Sequence, residues 1–142
     1  MEKILDFLPF MLEGTVTTIE LFILTLAISL PLGLPVALGS NSHLKPLSFL
    51  CKVYVWVFRG TPLLLQLYFF YFFFPLVLDI QTSPFFTVVL AYVLNYAAYF
   101  AEIYRGGINS IDSGQYDAAH ALGLSKGQTM IDIILPQTMK AI

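Results

Sequence analysis

Three stretches of this chain are too apolar, over too great a length, to belong to the surface or core of a small water-soluble domain. A bilayer crossing takes roughly 20 consecutive, mostly apolar residues. Residues Thr15–Leu38, Pro62–Leu78 and Pro84–Tyr104 each approach or meet that requirement, and the second could start earlier, at Val53. The whole chain agrees. Of 142 residues, 58% are hydrophobic and 11% charged, with a mean hydropathy of +0.79. Soluble domains carry about 25% charged residues. Lipid is therefore the expected solvent for much of the chain, and the expected fold class is an all-α integral membrane protein with three transmembrane helices.

Local signals place several boundaries. Pro31 and Pro35 should bend the last third of the first span, since each removes a backbone donor. Thr61-Pro62 and Ser83-Pro84 each put a hydroxyl at an N-cap and proline at the first helical position, where the missing N–H costs nothing. Ahead of the first span, Ile4, Leu5, Phe7, Leu8, Phe10, Met11 and Leu12 form an apolar run too short to cross and suited to the membrane interface. Glu2, Lys3, Asp6 and Glu13 around it do not make the basic leader of a secretory signal.

Direction follows from the basic residues. Lys45, Lys52 and Arg59 lie between spans one and two; Arg105, Lys126 and Lys140 follow span three; only Lys3 precedes span one. Basic loops stay in the cytoplasm. The N-terminus and the 75–83 loop are thus expected outside, and the 39–60 loop and everything after Arg105 inside.

Ionisable and polar residues inside spans are functional candidates by default. Glu20 lies in span one and can line a path or reach the outer interface. Tyr92, Asn95, Tyr99 and Glu102 recur at helical spacing on one face of span three, which must meet the bundle interior or water. Gln66 on span two is the natural partner for that face. Glu102 can also pair with Arg105 one turn away, and Arg59 reads as a cytoplasmic interface anchor.

Several classes are disfavoured. A net charge of -2 gives nucleic acid no electrostatic footprint. Cys51, the single cysteine, cannot form an internal disulfide and reads as packing. His43 and His120 have no Cys or His at metal-ligand spacing. No glycine-rich phosphate loop with lysine is present, so no cofactor, metal or catalytic residue is expected and the chain does not read as an enzyme.

Residues 105–142 change character: mixed polarity, punctuated by glycine. Asp112 with Gln115 fits a capping box opening a helix through about Leu122, closed by Gly123 in a left-handed conformation. Ser125 with Gln128 fits a second box, opening a helix that Pro136 interrupts or kinks.

Here the sequence resembles a known family. Asp117-Ala118-Ala119, then Gly123, then Ile133, then Leu135-Pro136 match in spacing the EAA loop of ABC importer permeases, with Asp117 where the family has Glu. Phe58-Arg59-Gly60-Thr61-Pro62-Leu63-Leu64-Leu65-Gln66-Leu67, together with Glu102-Ile103-Tyr104-Arg105-Gly106-Gly107-Ile108 and Gly114-Gln115, resembles the polar amino-acid uptake subfamily. The resemblance covers about residues 14–142. It implies part of a five-helix type I importer permease fold whose 105–142 loop couples to a cytoplasmic ABC ATPase dimer. It further implies a second permease subunit, an extracytoplasmic solute-binding protein and the inner membrane of a prokaryote. ATP would be hydrolysed by the separate ATPase. About two further spans follow the loop in such permeases, so the 1–142 permease domain reads as incomplete. The alternative is a truncated, non-transporting remnant, or a scaffold that pairs with a full-length permease.

Overall fold

A computed structural model describes residues 2–142, with side chains from Phe7 onward. It is all helix and connection: α1 (Glu2–Ser40), α2 (Lys45–Gly60), α3 (Leu63–Val77), α4 (Pro84–Ser110), α5 (Ser113–Ala121), α6 (Lys126–Gln128), a π-helical turn (Thr129–Ile134) and α7 (Leu135–Ala141). Two helices, α1 over Phe7–Ser40 and α4, are long and apolar enough to cross a membrane; there are three crossings if α2 and α3 count together as one bent span.

The first span is longer than expected. The segment read as interfacial is not a separate element. It continues α1 through Glu13 and Gly14, and Pro9, Pro31 and Pro35 all lie within that one helix. The side chains of Ile4 and Leu5, two members of that apolar run, lie outside the described residues. At 1.5 Å per residue, the 39 residues of α1 extend about 58 Å, well beyond a hydrocarbon core of about 30 Å.

α1 and α4 form the main packed pair. Small residues dominate the buried positions of these two helices: Ala37 on α1 and Ala91, Ala97, Ala98 and Ala101 on α4. In lipid, where no hydrophobic force drives helices together, small residues let backbones approach and gain dispersion contact. Gly33 marks the tightest point. A Cβ there would lie 2.7 Å from Phe100 Cβ and 3.1 Å from the Ala101 nitrogen. Val55 of α2 and Tyr104 of α4 complete the cluster around Ala37. At one end of the pair, Asn41 Nδ2 donates to Asn109 Oδ1 at 3.1 Å and Ser48 Oγ donates to the Ser40 carbonyl at 2.7 Å, fastening the α1–α2 connection.

The second span is broken. α2 and α3 meet at Thr61-Pro62 with a bend of 107°, so no straight span runs on from Val53. Thr61 does not cap α3. It closes α2, its N–H and hydroxyl both donating to the Val57 carbonyl, and Pro62 takes the cap position without a side-chain hydrogen bond. Ser83 behaves as expected, accepting from the Phe86 N–H at 3.2 Å with Pro84 beginning α4. Between them α3 ends through Leu78 N–H to Phe73 and Ile80 N–H to Phe74, with Asp79 left-handed at φ 54°. Aspartate is among the few non-glycine residues that visit that region.

Candidate functional site: helix break and the loop after α4

Proline creates the central problem of this fold. In an unbroken helix the Phe58 carbonyl would accept from the N–H of residue 62, but residue 62 is proline and has none. An unsatisfied carbonyl is costly in a membrane. Two side-chain amides resolve it. Asn95 Nδ2, near the middle of α4, donates to the Phe58 carbonyl at 3.0 Å, and Gln66 Nε2 on α3 donates to the same oxygen at 2.9 Å. Gln66 also reaches the Thr61 carbonyl (3.1 Å) and Thr61 Oγ1 (2.8 Å), while its own Oε1 accepts from Asn95 at 3.0 Å. Both amides are buried, at 8% and 5% exposure. The pairing of Gln66 with span three is present, and its purpose is visible: the two residues bind the end of α2 to the start of α3 and to α4.

The other polar residues of α4 do not join that cluster. Tyr92 turns to α1 and lines a cavity of about 270 Å3 with Thr18, Leu21, Phe22, Thr25, Leu26 and Tyr96. Tyr99 and Glu102 face α2 and line another of about 410 Å3 with Lys52, Val55, Trp56, Arg59 and Gly60. One stripe on one helix is thus shared among three neighbours. Glu20 stands exposed on α1.

Glu102 holds two guanidinium groups. Arg105 binds it through Nε and Nη2, both at 2.8 Å, and Arg59 Nη1 lies 3.4 Å from Oε2. The Arg59 guanidinium also sits 5.3 Å above the Tyr99 ring, within cation–π range. Arg59 is therefore an interhelical contact rather than a lone interface anchor. Its partner lies 43 positions further along the chain, and no local pattern signals such a pairing.

The loop after α4 folds back on itself. Asp112 caps α5 alone, accepting from the Gly114 N–H at 2.7 Å. The reciprocal box with Gln115 does not form, because Gln115 Oε1 accepts instead from Gln137 Nε2 of α7 at 3.1 Å. α5 ends where expected. Gly123 adopts φ +76°, Gly123 N–H donates to His120 and Leu124 N–H to Ala119, the two bonds of a Schellman closure. The Ser125–Gln128 box is reciprocal. Pro136 interrupts the second helix without ending it, standing in the first turn of α7 after the π-helical turn. The preceding turn widens, with Leu135 N–H reaching back to Met130, which relieves the clash of the proline ring with the carbonyl four residues earlier.

The motif residues divide by direction. Asp117, Ala118 and Gly123 are exposed; Ala119 is buried at 3%; Ile133 and Leu135 are half-buried around the fully buried Ile134; Pro136 is exposed. Leu122, which the spacing did not single out, is the most outward apolar side chain of the loop, at 82% exposure. α7 packs on the end of α4 beside Gly107, and Gln137 joins it to α5. A cleft of about 670 Å3 separates this loop from the α1–α2 connection, and His43, Tyr116, Asp117, His120 and Lys126 line it. Burial raises the Tyr116 hydroxyl above the usual phenol pKa. Among the described residues, no three His, Cys, Asp or Glu side chains are grouped to hold a metal ion.

Comparison with known proteins places this arrangement. Residues 29–142 match the family described as binding-protein-dependent transport system inner membrane component. The arginine transport system permease protein ArtQ of Bacillus subtilis (strain 168) is 44% identical over 135 residues, which are 95% of this chain and 62% of that protein. A putative glutamine transport system permease protein GlnP of Rickettsia prowazekii (strain Madrid E) is 38% identical over 133 residues, 94% of this chain and 61% of its own. The L-cystine transport system permease protein TcyB of Bacillus subtilis (strain 168) is 37% identical, across 95% of this chain and 57% of that protein. The chain thus spans about three fifths of the length of these relatives. A crystal structure of an amino acid ABC transporter with histidines superimposes with a TM-score of 0.88 at 35% identity, covering 99% of this chain and 65% of that one. The fold, the loop closed by Gly123 and the family match over residues 29–142 agree: this chain belongs to the binding-protein-dependent transport system inner membrane components.

Proposed function

We propose that this chain acts as a permease subunit of an ATP-binding-cassette importer for polar amino acids. In this reading α5 docks on a cytoplasmic ATPase dimer, a second permease subunit completes the pathway, and an extracytoplasmic solute-binding protein delivers the solute. The N-terminus lies outside and five helices complete the full subunit. The amino-acid class is supported by relatives whose names specify arginine, glutamine and cystine.

The observation that carries the reading is the geometry around Gly123. A short helix is stopped by a left-handed glycine and turned back onto a second helix, leaving Asp117, Ala118 and Leu122 outward. Ala118 lets a partner backbone come close, and Leu122 offers it apolar area. A push on α5 passes through Gln115–Gln137 to α7, and through α7 to the end of α4. α4 in turn holds the α2–α3 break through Asn95. A continuous set of contacts therefore links the loop to the membrane interior without any chemistry in this chain.

The test is co-purification of the ATPase, with its stimulated hydrolysis, from membranes containing each variant. Gly123→Val forces a β-branched residue into a conformation costing roughly 1–2 kcal/mol for side chains with a β-carbon. It should weaken both readouts while membrane insertion persists. Leu122→Asp should do the same by removing docking area. Ala119→Arg is a poor probe, because Ala119 faces the chain's own interior. Asp117→Glu should be neutral or improve coupling. Normal binding and stimulation by both Gly123→Val and Leu122→Asp would refute the docking role of α5.

A further inference from the structure

One face of α2 is only partly used by the contacts described so far: Arg59 at its end reaches Glu102 and Tyr99, and the rest of the face stays open. Lys45, Phe49, Lys52, Trp56 and Arg59 follow one another at steps of four, three, four and three residues, so they form a single stripe along the helix. All five are exposed, Trp56 at 76%, while Ser48 and Val55 of the same helix are buried. Base and aromatic alternate along the stripe. Leu50, Val53 and Val57 beside it are also exposed.

The charge is unbalanced. Among the described residues neither Lys45 nor Lys52 has an ion-pair partner, and the carboxylate of Glu102 is shared by Arg59 and Arg105. Three cations near the cavity lined by Lys52, Trp56, Arg59 and Tyr99 thus face one anion. The length of α2 matters as well. Its 16 residues reach about 24 Å, short of a hydrocarbon core of about 30 Å, and α3 leaves it at 107°. A helix too short to cross, with bases and aromatics on one exposed face and aliphatics beside them, has the chemistry of the membrane interface.

We propose that this face of α2 binds an anionic phospholipid. The headgroup phosphate lies between Lys52 and Arg59, and the glycerol and upper acyl region lies against Trp56 and Tyr99. Basic pockets between helices near the cytoplasmic surface take such headgroups, and aromatic rings favour that depth. A free amino acid could use its carboxylate on the same two bases, but would leave the aromatic and aliphatic area around them uncovered. The site needs no ATPase, so it stands or falls apart from the importer reading.

Trp56 is the only tryptophan in the sequence, so its fluorescence reports on this site alone. The full chain is reconstituted in vesicles of phosphatidylcholine and phosphatidylglycerol, with bromine placed on the acyl chains of one lipid at a time. At equal mole fraction, brominated phosphatidylglycerol should quench Trp56 more strongly, corresponding to a preference on the order of tenfold. Lys52→Gln, which breaks no hydrogen bond or ion pair in the chain, should reduce that preference about fivefold. Raising salt should reduce it in the unmodified protein. Equal quenching by the two lipids would overturn the proposal, as would a preference unchanged in Lys52→Gln. Quenching by neither lipid would mean that protein covers Trp56, and relief of quenching by a free amino acid would give the site to a solute; either result rejects the lipid.

Discussion

Asn95 and Gln66 exist as a pair because Pro62 withholds one hydrogen. With the Phe58 carbonyl orphaned, each amide supplies part of what the helix would have supplied itself. Interhelical hydrogen bonds in membranes average about 0.6 kcal/mol and reach about 1.7, so each single change should cost modestly. Asn95→Leu and Gln66→Leu should each destabilise by on the order of 1 kcal/mol. Because they share one acceptor, the double variant should cost less than the sum. Unfolding in detergent or bilayer measures all three, with Val89→Leu as a mild control; strict additivity would mean that the amides act separately. This pairing was legible in the sequence, since amides within apolar stretches must find partners and Tyr92 to Glu102 repeat at helical spacing. What was not legible is the acceptor. Thr61-Pro62 reads locally as a helix start, and only the tertiary position of Asn95 makes it a fold-back.

Among the elements, α1 and α4 show how a bilayer fold is held by what its residues lack. Gly33 has no Cβ, and a methyl there would press on Phe100 and on the backbone nitrogen of Ala101. Backbone cannot yield as a flexible side chain does. Gly33→Leu should therefore cost about 1–3 kcal/mol by overpacking, whereas Gly14→Leu, with nothing within 4 Å of a Cβ, should be tolerated. Thermal unfolding of the two variants in one detergent separates them, and equal midpoints would show that α1 and α4 do not need this approach. The same logic explains which loop features could be read in advance. The Gly123 closure and the Ser125 box depend on neighbours in sequence. The direction of Ala119 depends on which side of a nine-residue helix the rest of the chain covers, and the Asp112–Gln115 box was lost to Gln137, twenty-two positions beyond Gln115.

For the molecule as a whole, topology is the outstanding prediction. The basic residues predict that the 39–60 connection and the loop after α4 lie on one side, and the Asn41–Asn109 contact brings the ends of α1 and α4 that lead into them together in the structure. With Cys51→Ser as background, a cysteine at Ser42 should resist an impermeant reagent in intact cells while one at Gln81 reacts. The reverse pattern would invert the protein and move α5 away from any cytoplasmic ATPase. The break at Thr61-Pro62 also has a mechanical consequence. α3 is a stiff arm of 15 residues, about 22 Å long, attached at one end to the middle of α4. A pivot of only about 5° at the amides carries the far tip of that arm through about 2 Å. Any rotation at that joint would therefore be magnified along α3, because its fulcrum lies among the packed helices and its tip lies a whole helix length away.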